Sequence, residues 1–509
     1  MLAQYLRINA ERHSAQTALV FGTRHQSYKE LNDRACRAAN ALVSMGINSG
    51  DRVATLINNC PACIELLFAT AKIGAILVPI NFRLTAREVQ FALNNCTPKV
   101  LFAGRSLHAT MQELAGGDAM PEATIWVADR IALQEQDGDD YEKWLATSSV
   151  EEPSATGTLL DPHLLLHSSG TTGFPKAAIW TQSTTLHSST AKIIDFSIVP
   201  SDKTAVFGPL FHVGPLMDVA IPLLLRGGTL IIGETTGFDP RKVLQMAADE
   251  GVTILTIYPT MWRRVIREVD ASAFNLSSLR MLLTGGEPMP APLLQQVYDR
   301  FPAAQFVNTS GSTEGGPVTT FLAPADSRRK IGSIGKGAFG VAIKVVDTSF
   351  EEVPLGDVGE LLVRSPFVCA GYWNQPEATA HSMRDGWWRT GDLVSQDADG
   401  FLWIEGRQKD MIISGAENIY PIEIEKVIGA LEGVIEVSVV GVPDETWGEA
   451  VAAFVVKAPH SELDASRIIE HCKFHLASYK KPKHVRFVES LPRTTVNKVS
   501  KAVLRAQFE

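Results

Sequence analysis

The sequence predicts an α/β chain: a large N-terminal part with doubly wound, mostly parallel sheets, followed by a smaller α+β unit. Three observations predict it. Short β-type runs alternate with segments of helical period through the first part. Capping signatures open several of those helical segments. After about residue 409 the pattern changes to longer β-type runs with a helix start at 420–425 and a helix at 466–477.

Taken in order, Ser27 with Glu30 and Thr85 with Glu88 have capping-box spacing, and each opens a stretch with apolar positions every three or four residues. Pro61, followed by Cys63, Ile64, Leu67 and Phe68, predicts a helix between them. β-type runs fall at 52–57, 76–80, 100–103, 164–166, 177–180, 204–207, 229–232, 253–257, 281–283 and 305–307. Sheets of this kind keep their ligands in loops leaving the carboxyl ends of strands. The stretch 115–154, rich in acidic and small residues, reads as a surface excursion. Beyond residue 409, runs at 434–440, 451–456 and 484–488 with a helix at 466–477 make the α+β unit.

Composition narrows the function classes. Lys+Arg 47 against Asp+Glu 56 gives a net charge of −9, which argues against neutralising nucleic-acid phosphates as the main task. Six cysteines in 509 residues make no disulfide framework; Cys60 and Cys63 form either a redox or zinc pair or two ordinary buried thiols, and the helical spacing around them favours the second. No apolar run approaches the roughly 18 residues of a membrane span, and the first thirty residues carry no signal-peptide core, so a cytoplasmic address is expected.

Three loops, and the later segments 385–393 and 406–415, carry unusual chemistry. His-Ser-Ser-Gly-Thr-Thr-Gly-Phe-Pro-Lys at 167–176 gathers hydroxyls, glycine-freed N–H groups and a lysine, the donors that a polyphosphate requires. Its spacing is not that of a Walker A loop, since Ala177 stands where that motif needs Ser or Thr. The alternative is a plain Gly/Ser/Thr surface loop. Thr-Gly-Gly-Glu-Pro at 284–288 and Asn-Thr-Ser-Gly-Ser-Thr-Glu-Gly at 308–315 both follow strands; their glycines let backbone pass close to a planar ring, and Glu314 suits a hard cation such as Mg²⁺. Each is otherwise a structural turn. Asp392 can accept from both hydroxyls of a ribose, and Arg407 can donate to them.

With Pro-Leu-Phe-His-Val-Gly at 209–214, Gly-Glu-Leu at 359–361, Gly371-Tyr372 and Leu-Pro-Arg-Thr-Thr-Val-Asn-Lys at 491–498, these segments resemble the adenylate-forming superfamily of acyl-CoA synthetases, peptide-synthetase adenylation domains and beetle luciferases. The resemblance runs from Tyr28 to Arg505 and is closest in look to bacterial fatty acyl-CoA synthetases. It implies an AMP-forming acid–thiol ligase using ATP, Mg²⁺ and CoA. A carboxylate attacks the α-phosphorus, and a thiol then displaces AMP.

The resemblance also implies roles. Ser168, Ser169, Gly170, Thr171, Thr172, Gly173 and Lys176 hold the β- and γ-phosphates, Thr313 contacts the α-phosphate, and Glu314 with Ser168 holds Mg²⁺. Gly286, Glu287, Asn308, Thr309 and Ser310 border adenine, and Asp392 with Arg407 holds ribose. Lys498 bridges the carboxylate and the α-phosphate; with Glu314, Thr171 and His212 it makes up the implied catalytic set. A domain of residues 1–408 would bind ATP and acid, and a mobile domain of 409–509 would carry Lys498, with Lys409 as hinge and Gly415 lining the CoA tunnel. His212 reads either as a gate to the thiol channel or as a packed strand-end histidine. Lys480, Lys481 and Lys483 either meet CoA phosphates or form a solvated face.

The acyl pocket draws on Val213, Met217, Tyr258, Met261 and the Gly285 backbone, which suggests an apolar acid. Medium or long aliphatic acids are favoured, with aryl and polycyclic acids as alternatives. No acidic residue near Phe211-His212 awaits an α-amine, which argues against amino-acid activation. A carrier protein as acceptor and a homodimer are left open; nucleic acid and a membrane span are not expected. Departures from the family pattern are Ala177 and Ala416 for glycines, Gln182 for a histidine, Asn497 for a glycine and Ser310 for an aromatic. Loss of a stacking ring at 310 costs ATP binding about 1 kcal/mol. A variant performing mainly the thioester half-reaction is the extreme outcome.

Overall fold

The computed structural model describes residues 1–508 except 116–119, 135–139, 155–156, 169–174, 236, 287–288, 415–416 and 495–497, together with the side chain of Gln134. The chain forms two compact units, Met1–Ile343 with Val363–Trp388 and Lys344–Leu362 with Arg389–Glu509. This division differs from a single boundary at 408/409, because residues 344–362 and 389–408 cluster with the C-terminal segment.

The first unit holds two sheets. One has nine strands in the order Lys336–Gly337, Gly316–Leu322, Gln305–Ser312, Met281–Gly285, Ile254–Thr256, Lys203–Val206, Thr229–Ile232, Thr17–Phe21 and Arg24–Ser27. Six of its seven inner strands run parallel, from Gln305–Ser312 across to Thr17–Phe21. The other has six: Ala123–Val127, Val100–Gly104, Arg52–Leu56, Ile76–Pro79, Pro162–His167 and Ala177–Thr181, all parallel but the last. Parallel strands buried on both faces read as continuous apolar runs, and Val100–Gly104 is buried at every position.

The helices start where the sequence predicts. Ser27 and Thr85 accept from the backbone N–H groups of Glu30 and Glu88, opening Tyr28–Ser44 and Ala86–Cys96, and Pro61 opens Pro61–Ile73. Cys60 is buried and Cys63 half-buried on that last helix, with free thiols. Among the described residues no helix is long and apolar enough to cross a membrane.

The stretch 115–154 is not a surface excursion. It supplies the edge strand Ala123–Val127 and the helix Asp140–Ala146, whose Tyr141 is 2% exposed. The Tyr141 hydroxyl donates to Glu65 Oε2 at 2.8 Å, and Arg34 Nε donates to Glu65 Oε1 at 2.6 Å. Tyr141 and Trp144 meet Phe102 edge-on, at 5.9 and 5.1 Å between centroids. The acidic composition masked these anchors: Glu142 pairs with the same arginine that neutralises the buried Glu65.

Strand Pro162–His167, which leads into the hydroxyl-rich loop, is tied down by His163. Its Nε2 lies 2.7 Å from Thr185 Oγ1, its Nδ1 is buried with no partner among the described residues, and burial pushes the ring's pKa down from 6.5 to about 3. The unfolded chain therefore binds a proton near pH 6.5 that the folded chain refuses until about pH 3. This contribution is complete above the unfolded value and is lost as pH falls through the interval, by about 1.4 kcal/mol per pH unit. His163→Gln should flatten the fall in melting temperature between pH 6 and 4.5; equal slopes for variant and parent would overturn the assignment.

The second unit contains an antiparallel pair in which Asp392 faces Arg407 and Gln396 faces Leu402. Its other sheet runs Glu417–Ile419, Ile412–Ser414, Gly448–Lys457, Val434–Asp444, with His484–Phe487 added parallel to Gly448–Lys457. Helices Pro421–Gly429 and Ala465–His475 put Ile424, Ile428, Ile468 and Cys472 into one core with Val439, Val451 and Val455. Leu491 and Leu504 join a second core on Phe454, which holds both flanks of the segment carrying Lys498.

Candidate active site

The hydroxyl-rich segment joins two antiparallel strands. His167 faces Ala177, and the Ser168 N–H donates to the Lys176 carbonyl at 2.8 Å, so the loop is closed at its base. Ser169, Gly170, Thr171, Thr172 and Gly173 lie outside the described residues, as do Glu287, Gly415, Ala416 and Asn497. Ala177 is fully buried. Gln182 is buried too, and its Oε1 accepts from the Leu2 N–H at 2.9 Å, a structural use for the residue that replaces a histidine.

Lys176 aims along this base. Its Nζ lies 4.9 Å from the centroid of the Tyr372 ring, and the Tyr372 hydroxyl donates to Glu314 Oε1 at 3.0 Å. A cation, an aromatic face and a carboxylate are thus placed in one line. Backbone bonds fix the three chains that supply them: Ile179 N–H to the Gly371 carbonyl, Trp373 N–H to Ala177 and Cys369 N–H to Glu314, at 2.8–2.9 Å. Gly371 has φ +123, and a Cβ there would stand 2.6 Å from Thr379. Only glycine permits this turn. Burial first, and the charge of Glu314 second, push the Tyr372 hydroxyl up, so it stays a donor. Sequence reasoning used Gly371-Tyr372 as a motif without giving Tyr372 a role; the signal was an aromatic with a hydroxyl directly after a glycine in a resembling motif.

Glu314 follows Thr313, whose carbonyl accepts from Trp180 Nε1 at 3.2 Å, and the turn closes with Gly315 N–H on Ser312 Oγ at 2.8 Å. Among the described residues no three His, Cys, Asp or Glu side chains cluster as a metal cage. A single carboxylate such as Glu314 fits Mg²⁺, which keeps several waters and takes ligands from substrate phosphates.

The neighbouring strand ends are close-packed. Gly285 pairs with Thr309, and a Cβ on Gly285 would lie 2.5 Å from the Thr309 carbonyl oxygen. Thr309 Oγ1 donates to the Thr284 carbonyl at 3.2 Å and Asn308 Nδ2 to the Ser333 carbonyl at 3.1 Å, so both side chains are used inside the protein. Gly286, with φ +78, passes 3.8 Å from the Tyr258 ring by the position of its absent Cβ. Ser310 faces Thr320 across the sheet, and its carbonyl accepts from Thr319 Oγ1 at 3.0 Å.

Of the residues expected at an acyl pocket, the structure brings Tyr258 to Gly214 and His212. A Cβ on Gly214 would stand 3.3 Å from the Tyr258 hydroxyl and 3.7 Å from His212 Nδ1, and that nitrogen accepts from the Gly214 N–H at 3.3 Å. Val213 and Met217 are buried, whereas Met261 packs against the core of the nine-stranded sheet.

In the second unit Arg407 Nε pairs with Asp392 Oδ1 at 2.7 Å across the antiparallel strands. Burial pushes the Asp392 carboxyl up, and the charges of Arg407, Lys498 and Lys409 pull against it. Lys409 is pushed down, by burial first, with Asp410 opposing. Asp410 in turn pairs with Arg505 at 2.9 Å. Lys498 is exposed: Thr494 N–H donates to its carbonyl at 2.7 Å, its own N–H donates to Thr494 Oγ1 at 3.2 Å, and Arg493 bridges to Glu436 at 2.6 Å. Of the three C-terminal lysines, Lys480 pairs with Glu423 and Lys483 with Asp444, which favours a structural face for those two.

Residues 6–373 match the family model described as AMP-binding enzyme, and residues 423–498 match the AMP-binding enzyme C-terminal domain. A feruloyl-CoA synthase of Amycolatopsis sp is 38% identical over 97% of this chain and 96% of its own length. The long-chain-fatty-acid–CoA ligase FadD13 of Mycobacterium tuberculosis is 35% identical over 95% of this chain and 93% of its own. The solved structure of the anthranilate CoA ligase AuaEII in complex with anthranoyl-AMP superimposes with a TM-score of 0.90 at 26% identity, covering 100% of this chain and 97% of that one.

Proposed function

The chain belongs to the AMP-binding enzyme family and is an AMP-forming acyl-CoA synthetase using ATP, Mg²⁺ and CoA, and on that premise we propose that its acid is an aryl carboxylate. The observation that carries the choice is the 38% identity, over nearly the full length, to a feruloyl-CoA synthase. The overall look that favoured medium or long aliphatic acids is a weaker guide, and such acids become an arm of the test. The reaction needs ATP and CoA together, and we place it in the cytoplasm with CoA, not a carrier protein, as acceptor.

The chemistry is a charge problem. An acid oxygen bonds to the α-phosphorus of ATP, pyrophosphate departs, and both reactants are anions before they meet. In our reading Lys176, with Ser168 and the hydroxyls and N–H groups of 169–173, neutralises the β- and γ-phosphates, and Thr313 meets the α-phosphate. Mg²⁺ supplies further positive charge on the phosphate oxygens when bound. Glu314 would hold it, and the Tyr372 hydroxyl, donating to one carboxylate oxygen, fixes the side chain for that role. Gly286, Glu287, Asn308, Thr309 and Ser310 border adenine mostly through backbone, and Asp392 with Arg407 takes the ribose hydroxyls. Lys498 donates to the attacking carboxylate and the α-phosphate. In the second step the CoA sulfur bonds to the acyl carbon and AMP departs with the bonding pair. Lys409 acts as a hinge at the start of the C-terminal segment, Gly415 leaves room for pantetheine, and His212 gates the acyl pocket.

Mass spectrometry of products from ATP, Mg²⁺, CoA and a panel of cinnamates, benzoates and fatty acids tests this reading. Aryl-CoA with AMP as the fastest product supports it; faster fatty acyl-CoA formation overturns the aryl assignment. Adenylate without thioester overturns CoA as acceptor.

A further inference from the structure

Two charged side chains of the first unit, Lys192 buried and Asp218 half-buried, lie beside the residues expected to be an apolar pocket. Lys192, on helix Gln182–Asp195, is 1% exposed. Its ammonium donates to Ser188 Oγ at 2.9 Å and lies 4.6 Å from the Phe367 ring centroid. Asp218 follows Met217 on the segment Gly214–Ala220, which is π-helical: the Ile221 N–H donates to the Leu216 carbonyl five residues back. Such wide turns recur at functional sites.

Asp218 is not used by the fold in the way buried carboxylates usually are. Its Oδ1 is buried with no hydrogen-bond partner among the described residues, although Lys192 acts on it electrostatically. The lysine gives its hydrogen to Ser188 instead. An unpaired buried acceptor costs stability, and an apolar side chain at the same place would avoid that cost. The other oxygen, Oδ2, lies 3.7 Å from where a Cβ on Gly214 would stand, and the Tyr258 hydroxyl lies 3.3 Å from that same point. The absent side chain of Gly214 therefore leaves a space bordered by a carboxylate oxygen, a phenol and His212. Burial pushes Asp218 up and Lys192 down, while the charge of each opposes the shift of the other.

We propose that Asp218 recognises a ring hydroxyl of the aryl acid, accepting its hydrogen bond. This rests on the aryl reading above and adds to it the substituent that the pocket selects. A site built to accept from a hydroxyl discriminates against the analogue that lacks it, because the acceptor is then left unpaired.

The test compares kcat/KM for hydroxycinnamates with cinnamate itself and with the methoxy analogues, which keep the oxygen and remove the donor. The parent enzyme should favour its best hydroxy isomer over both by about 10- to 100-fold. In Asp218→Leu, and in Asp218→Leu with Lys192→Met, which removes the unpaired lysine as a folding hazard, the ratio should fall to about threefold or less. A parent enzyme without hydroxyl preference, or a preference that survives in the double variant, overturns the proposal. If fatty acids alone give thioester, the aryl reading fails; if aryl acids turn over and the ratio ignores Asp218, only this inference fails.

Discussion

Lys498→Ala should lower acyl-adenylate formation by about a thousandfold, the upper range for removing one donor aimed at developing charge. Thioester formation from supplied acyl-adenylate should persist within a few fold, because the proposed role of the lysine ends once pyrophosphate has left. The residue is exposed, and its bonds to Thr494 are made by its own N–H and carbonyl, so alanine removes the charge and keeps those bonds. Single-turnover product analysis with and without preformed adenylate separates the two steps. Equal losses in both, or a loss below tenfold in the first, would remove Lys498 from the proposed chemistry.

Glu314→Gln should lower kcat/KM for ATP by about 10²–10³, in the range found when a preorganised electrostatic contact is lost. The amide oxygen can still accept from Tyr372, which lies 3.0 Å from Glu314 Oε1, so the fold is kept and the charge alone is lost. Tyr372→Phe keeps the charge and loses the bond, and should cost only about tenfold. Steady-state kinetics across a Mg²⁺ titration checks both. A Gln variant that responds to Mg²⁺ as the parent does would show that Glu314 holds no cation.

Much of the fold was legible because its signals are local. The capping boxes at Ser27 and Thr85 and the proline at 61 mark helix starts, and apolar runs mark parallel strands. The stretch 115–154 was misjudged because its anchoring is long-range: Tyr141 and Trp144 find Phe102, and Glu65 finds Arg34, across many residues that give no periodic pattern. The site was legible as a set of loops and illegible as a geometry. Nothing in residues 308–315 indicates that Glu314 leans on Tyr372, and Asp218 reads in sequence as a polar interruption of an apolar helix.

The interleaving of the two units carries a consequence for synthesis. Val363–Trp388 belongs to the first unit but follows Lys344–Leu362 of the second. The nascent first unit therefore has no Tyr372 for Glu314 until translation has passed residues assigned to the other unit, and the second unit waits for the segment ending at Glu509. The first unit therefore has all its segments only after residues 344–362 of the second have been made. The first unit emerges incomplete, with Tyr372, the partner of Glu314, arriving late.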